Sequence, residues 1–244
     1  MAQYQFGSGY VFGVRTDIAN PSPVALGVLQ DVAVKISGDL KPLTGSGQFP
    51  VAFGRGKSKI EITAKFARMS GAAYNALYFG QTLSVGQIGS ALYEPATVPA
   101  SAPYVVAAMN SASFTADWGV SYANGLPLTR VASAPTVGQY TVSAGTYTFS
   151  TADASAKVVL SYTYAVTGSG STIAIANPQM GMAPTLQLWL PNSYQGKTFT
   201  QIYNNCTSSS LDFSTKQDDW MIPSLTFMAA QDAFGNVGSL SYSE

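Results

Sequence analysis

Lys57-Ser-Lys-Ile-Glu-Ile-Thr-Ala-Lys-Phe-Ala-Arg68 is the stretch that decides the fold class. Ile60, Ile62, Ala64 and Phe66 fall on one face of a period-two repeat, and Lys57, Lys59, Glu61, Thr63 and Lys65 on the other. Side chains alternate across a strand, so this repeat is a strand with one face buried and the other wet. Upstream, Gln30–Ser37 repeats the pattern, with Val32, Val34 and Ile36 opposite Asp31, Ala33 and Lys35. Between the two lies Gly38-Asp-Leu-Lys-Pro-Leu-Thr-Gly-Ser-Gly-Gln-Phe-Pro-Val-Ala-Phe-Gly-Arg-Gly56. A hairpin needs only about two to five loop residues, so this stretch predicts a long inter-strand loop. Its apolar side chains Leu40, Leu43, Phe49, Val51 and Phe53 then require a surface, either a neighbouring molecule or the chain's own core.

Outward from this pair, the first 20 residues are rich in glycine and aromatic residues and read as an arm or an edge strand. Ser70–Phe79 predicts the one helix, with Ser70 as N-cap, Ala73, Tyr74 and Leu77 as its packed stripe, and Gly80 at the left-handed C-cap. Gln81 to about Pro103 has no period and reads as a loop or lobe boundary. From there on the sequence is almost all β. Tyr140, Val142, Tyr147 and Phe149 alternate with hydroxyl residues around Gly145, and Val158, Leu160, Tyr162, Tyr164 and Val166 form another face. Gly168–Thr172 supplies turn chemistry ahead of Ile173 and Ile175. Further strands are expected at Thr185–Leu190, Phe199–Tyr203, Leu211–Phe213, Ser224–Met228 and Ser239–Tyr242, with a turn at Asp232–Asn236. The expectation is mainly β: a β-sandwich or barrel with one flanking α-helix and a long inter-strand loop, one domain over 1–244 with an inserted lobe or loop at about 85–135.

Composition narrows the chemistry. The chain has 244 residues and no histidine, which removes Ser-His-Asp triads, Cys-His pairs, His-based zinc sites and imidazole acid–base catalysis. With Cys206 as its one cysteine, it can form neither an intrachain disulfide nor a cysteine-based metal site, and Cys206 reads as a small, buried, unpaired thiol. Gly54-Arg-Gly-Lys-Ser58 invites a phosphate-loop reading, but Val51 stands where that motif's first glycine should fall, and the segment opens a strand. Asp218-Asp219 beside Trp220 reads as a solvated turn, because neighbours on a strand point to opposite faces and cannot form a glycosidase pair. Asn205-Cys-Thr207 is a chance glycosylation match. The expectation is no enzyme: no catalytic, cofactor-binding or metal-binding residues, and no cofactor.

Charge is sparse and uneven. Charged residues make up 10% of the chain, against about 25% in typical globular proteins. Net charge is zero, so no global field draws the molecule to nucleic acid or an anionic membrane. Residues 1–70 hold eight Lys/Arg against four Asp/Glu, and the remainder holds the reverse. That division permits head-to-tail contact between copies and equally permits the two halves of one fold to neutralise each other. A neutral surface suits a chain packed against copies of itself. Met1–Phe6 lacks the features of a signal peptide, and no stretch approaches the roughly 18 apolar residues of a membrane span. The chain is expected to be cytosolic when made.

Gly27-Val-Leu-Gln-Asp-Val-Ala-Val-Lys-Ile-Ser-Gly-Asp-Leu-Lys-Pro-Leu43, Gln48-Phe-Pro-Val-Ala52, Gly54-Arg-Gly-Lys57 and Ala64-Lys-Phe-Ala-Arg-Met-Ser-Gly-Ala72 together resemble the opening of a bacteriophage tail tube protein. Gly138-Gln-Tyr140, Tyr147-Thr-Phe149, Leu160-Ser-Tyr-Thr-Tyr164 and Gly235-Asn-Val-Gly238 are similar to the same group. The resemblance covers most of the chain except roughly 85–130. It implies a β-sandwich with a flanking helix, hexameric rings, and rings stacked into a hollow tube through which DNA passes without specific binding. It implies location in the virion tail, after assembly in the host cytoplasm. The implied partners are further copies of the chain together with sheath or terminator, baseplate and tape-measure proteins, and no membrane. In that family the long loop reaches toward the adjacent ring, which makes Leu40, Leu43, Phe49, Val51 and Phe53 the inter-ring contact. The family's lumen is usually acidic, and the Lys57/Lys59/Lys65 face departs from that. Two other readings remain open on the residues: a carbohydrate-binding β-sandwich, from 14 Tyr and from Trp118, Trp189 and Trp220, and another virion component such as a capsid decoration or fibre protein.

Overall fold

The computed structural model describes residues 4–68 and 70–243. Its early strands are β1 (Phe12–Arg15), β2 (Val24–Ala25), β3 (Val28–Thr44) and β4 (Pro50–Arg68). Next come β5 (Leu83–Thr97), β6 (Val105–Ala107), β7 (Phe114–Tyr122), β8 (Thr129–Arg130), β9 (Gln139–Ser143), β10 (Thr146–Phe149) and β11 (Lys157–Ile173). The last four are β12 (Thr185–Tyr194), β13 (Lys197–Asp212), β14 (Ser224–Ala230) and β15 (Gly238–Tyr242). Between β4 and β5 a single α-helical turn, α1 (Gly71–Tyr74), runs on as a π-helical turn, Asn75–Phe79. The chain is mainly β, with several antiparallel sheets and one short helix. Among the described residues, no helix is long and apolar enough to cross a membrane.

The chain divides into two compact units, one of Met1–Leu83 with Ile173–Glu244 and one of Ser84–Thr172. The expected boundaries of 85–135 enclose only the first part of the second unit, because β9, β10 and most of β11 belong with it.

The first unit is built on one sheet in the order β2-β1-β12-β13-β14-β4-β3, with β15 pairing β13 beyond the end of β14. Ile62 and Ala64 of β4 lie opposite Val34 and Val32 of β3 on one side and Phe227 and Leu225 of β14 on the other. Ile62, Ala64, Leu225 and Phe227 form one buried cluster with Leu186, Leu188 and Leu190 of β12, Tyr203 and Cys206 of β13, and Leu26 next to β2, and the half-buried Val32 and Val34 pack against it. Residues from both ends of the strand order share that cluster, so the sheet curls around its own core as a sandwich does. Ala73 and Leu77 of the helix join it. Ser70 caps the helix by accepting from the Ala73 N–H at 3.3 Å. Gly80 closes it at φ 64°, a left-handed position that glycine takes without strain. Asn75 is buried and satisfied, accepting from the Gln81 N–H at 2.9 Å. Cys206 is fully buried, and burial pushes its thiol up to about 12.

The second unit has two sheets, β6-β10-β9-β8 and β5-β11-β7. The expected loop at Gln81–Pro103 is a strand over most of its length. It carries no readable period because its inner positions are small. A Cβ on Gly89 would lie 2.7 Å from the Tyr164 ring, so β11 supplies the side chain that fills this space. The expected turn at Gly168–Thr172 is likewise part of β11, which continues to Ile173.

The core of the second unit is tyrosine-rich, and its hydroxyls require acceptors. Tyr140 and Tyr147 both donate to the buried Asp117, at 2.7 and 3.1 Å, and Tyr122 donates to the buried Asp153 at 2.6 Å. Tyr162 donates to Glu94. Burial first, then the Asp117 carboxylate, pushes Tyr140 and Tyr147 upward, while Tyr122 is raised chiefly by its bond to Asp153. A raised tyrosine stabilises the fold fully below the ordinary value of 10 and loses that contribution as pH climbs through the folded value. The melting temperature of this unit is therefore expected to fall above about pH 10. Thermal scans from pH 8 to 11 check this, and an unchanged midpoint would contradict it. Asp117→Ala leaves two buried hydroxyls without their acceptor, at about 1–3 kcal/mol each. Urea titration is expected to report a loss of that order.

Candidate assembly surface

The sheet leaves one part of itself without a second neighbour. β14 flanks β4 only from Ile60 to Lys65, whereas β3 pairs with β4 all the way to Thr44↔Pro50. Beyond Ile60 the two strands continue as a ribbon, Ser37–Thr44 against Pro50–Lys59, for about 25 Å at roughly 3.3 Å per residue. The expected long loop is corrected accordingly. Gly38–Gly56 is the outer part of a β-hairpin whose turn is confined to about 45–49. Pro42 and the glycines argue against strand in the sequence. β3 is the edge of the sheet, however, where proline is tolerated, and β-bulges near Gly38/Leu40 and Leu43/Thr44 absorb the misfits.

The five residues expected to make inter-molecular contact all lie on this ribbon, and each is between 63% and 82% exposed. None joins the core, so the folding-back alternative does not hold. The ribbon does not gather them into one patch. The register puts Leu40 and Phe53 on one face with Pro42 and Arg55, and Leu43 on the other with Lys41, Gly54 and Ala52. Val51 sits at the outer bulge beside Gly45, and Phe49 is in the turn. A two-stranded ribbon is at best marginally stable in water. Each large apolar side chain fully covered contributes about 1.5–3 kcal/mol, so covering this ribbon stabilises both the ribbon and whatever meets it.

The lysine-bearing face of β4 is less basic than the sequence reads. Lys65 lies 3.5 Å from Asp31 across the strand pair, and Lys59 lies 3.5 Å from Glu61. Lys35 is registered opposite Glu61, and Thr63 lies beside Thr226. The face is one of hydroxyls and partly compensated charges, in which Lys35, Lys59 and Lys65 still outnumber Asp31 and Glu61. Gly54-Arg-Gly-Lys57 lies within β4, with no helix N-terminus following it. Asp219 lies 3.7 Å from Lys216 in the loop between β13 and β14. Among the described residues, no group of three or more His, Cys, Asp or Glu is placed to hold a metal ion.

Sequence reading missed the strand pairing of the ribbon and the Asp117, Asp153 and Glu94 acceptors, whereas the solvated turn expected at Asp218-Asp219 beside Trp220 is present in the exposed loop between β13 and β14. Gly45-Ser-Gly47 between Leu43 and Val51 is the signal that marks the hairpin turn. In comparisons with known proteins, no family model and no curated sequence matches the chain.

Proposed function

We propose that the chain is a structural virion protein whose copies assemble into stacked rings, hexameric by its resemblance, forming the tail tube through which phage DNA leaves. The observation that carries this reading is the projecting ribbon. A monomer gains nothing by holding five large apolar side chains in water on a two-stranded arm, whereas a stacked assembly covers them. The partners in this reading are further copies of the chain, with sheath or terminator, baseplate and tape-measure proteins at its surfaces and ends. Its place is the virion tail, after assembly in the host cytoplasm. The carbohydrate reading draws on 14 Tyr and on Trp118, Trp189 and Trp220, and these tryptophans lie on β7, on β12 and in the β13–β14 loop, so no two share an element. Electron micrographs of concentrated protein, with a glycan array in parallel, test the proposal. Rings and tubes without sugar binding support it, and a stable monomer that binds sugars reproducibly overturns it.

A further inference from the structure

We infer that the surface receiving the ribbon is the recess at the opposite end of the same sheet, and that its occupant is the ribbon of a second copy of this chain. This rests on the assembly reading above. β4 runs from Pro50 at the ribbon tip to Arg68, and the loop 213–223 between β13 and β14 stands at the Arg68 end. Ser224 is registered opposite Lys65, and the Phe66 N–H donates to the Pro223 carbonyl at 3.0 Å. Tip and loop are thus separated along β4, by up to about 60 Å for an extended strand. One molecule cannot place its own tip in its own recess.

The recess has a volume of about 350 Å³ and is lined by Asp31, Lys65, Lys216, Asp219, Trp220 and Ile222, among others. Trp220 stands over it 87% exposed, with Phe213 and Met221 of the same loop also in solvent. An exposed tryptophan beside a recess is the usual form of an interface anchor. Charge favours the ribbon as occupant. In 37–58, Lys41, Arg55 and Lys57 outnumber Asp39 by two, and in 212–223, Asp212, Asp218 and Asp219 outnumber Lys216 by two. In the lining itself Lys65 pairs with Asp31 at 3.5 Å and Lys216 with Asp219 at 3.7 Å, so the acidic excess rests on Asp212 and Asp218 of the loop, and Arg68 at the end of β4 offsets part of it. Apolar side chains flanked by cations thus meet an aromatic recess whose lining is charge-balanced and whose loop carries a small acidic excess. The two halves of the contact are unlike and lie at opposite ends of one sheet, so the contact is heterologous and propagates into an open stack rather than closing as a pair.

Cross-linking tests this in the full chain carrying Val51→Cys at the ribbon tip and Met221→Cys in the loop. Cys206 is fully buried with a raised thiol, so the native background is unreactive. With a bismaleimide, the double variant is expected to give a ladder of dimers, trimers and longer chains on a denaturing gel, and each single variant only monomers. A double variant that stays monomeric on the gel while forming tubes in micrographs overturns the recess as acceptor and leaves the assembly reading standing. Monomers in both overturn the two together, and a dimer with nothing larger indicates a closed pair and overturns the stack. Should the cysteine pair disturb folding, charge exchange on exposed side chains gives the second measurement. Asp218→Lys with Asp219→Lys is expected to slow stack growth about tenfold. Adding Arg55→Glu and Lys57→Glu is expected to restore it, and failure of restoration overturns the pairing.

Discussion

Replacing Leu40–Phe53 by a short Gly-Ser linker is expected to leave folded monomers or single rings and no long tubes. The segment begins beyond the part of the hairpin that β14 supports, and its apolar side chains contribute nothing to the core. Its removal should therefore leave the melting temperature of the first unit within a few degrees of wild type. What is lost is the surface between copies. Two of these side chains fully covered contribute about 3–6 kcal/mol, enough to change an association constant by about two to four orders of magnitude. Association costs of comparable size oppose them, so a stack without the ribbon has no net drive to grow. Sedimentation velocity checks this: tubes of normal length from the linker variant would show that the ribbon is not the inter-ring contact.

Assembled tubes are expected to survive about 1 M NaCl and to come apart in urea. Salt at that concentration shortens the screening length from about 8 Å to about 3 Å, and exposed ion pairs are worth about 0–1 kcal/mol each even before screening. Burial of apolar surface, at about 25 cal/mol per Å², is not screened, and urea weakens it together with strand pairing. The charges of ribbon and recess then govern how fast and in what register copies meet, so high salt is expected to slow assembly without reversing it. With no histidine in the chain, no imidazole titrates between about pH 5.5 and 7.5, and no assembly switch is expected in that range. Dissociation to monomers at 1 M NaCl without denaturant would make charge, not burial, the dominant force.

The sequence discloses those parts of the fold that have one buried face. Ile60–Phe66 alternates because β4 is covered by the core on one side and wet on the other, and that asymmetry is what writes a period of two into a strand. The helix is legible for a different reason, its chemical punctuation by Ser70 and Gly80. The ribbon and the far end of β11 are illegible for one shared reason. Both faces are exposed there, so nothing forces alternation, and proline and glycine read as loop. β5 fails in the opposite sense, since Gly89 carries no side chain and Tyr164 from another strand fills its place. At the candidate surface the identity of the apolar residues is legible and their arrangement is not. The bulge facing Asp39 shifts the register of everything beyond it, and no local pattern announces a bulge. The recess around Trp220 is assembled from β3, β4 and a loop distant in sequence, so only the folded chain brings it together.

The most direct test of the central claim, that the ribbon builds an assembly, is one negative-stain image of concentrated wild-type protein beside the Leu40–Phe53 linker variant. The account predicts stacked rings or tubes in the first and only monomers or single rings in the second. Tubes of equal length in both, or dispersed monomers in the wild type, would contradict it.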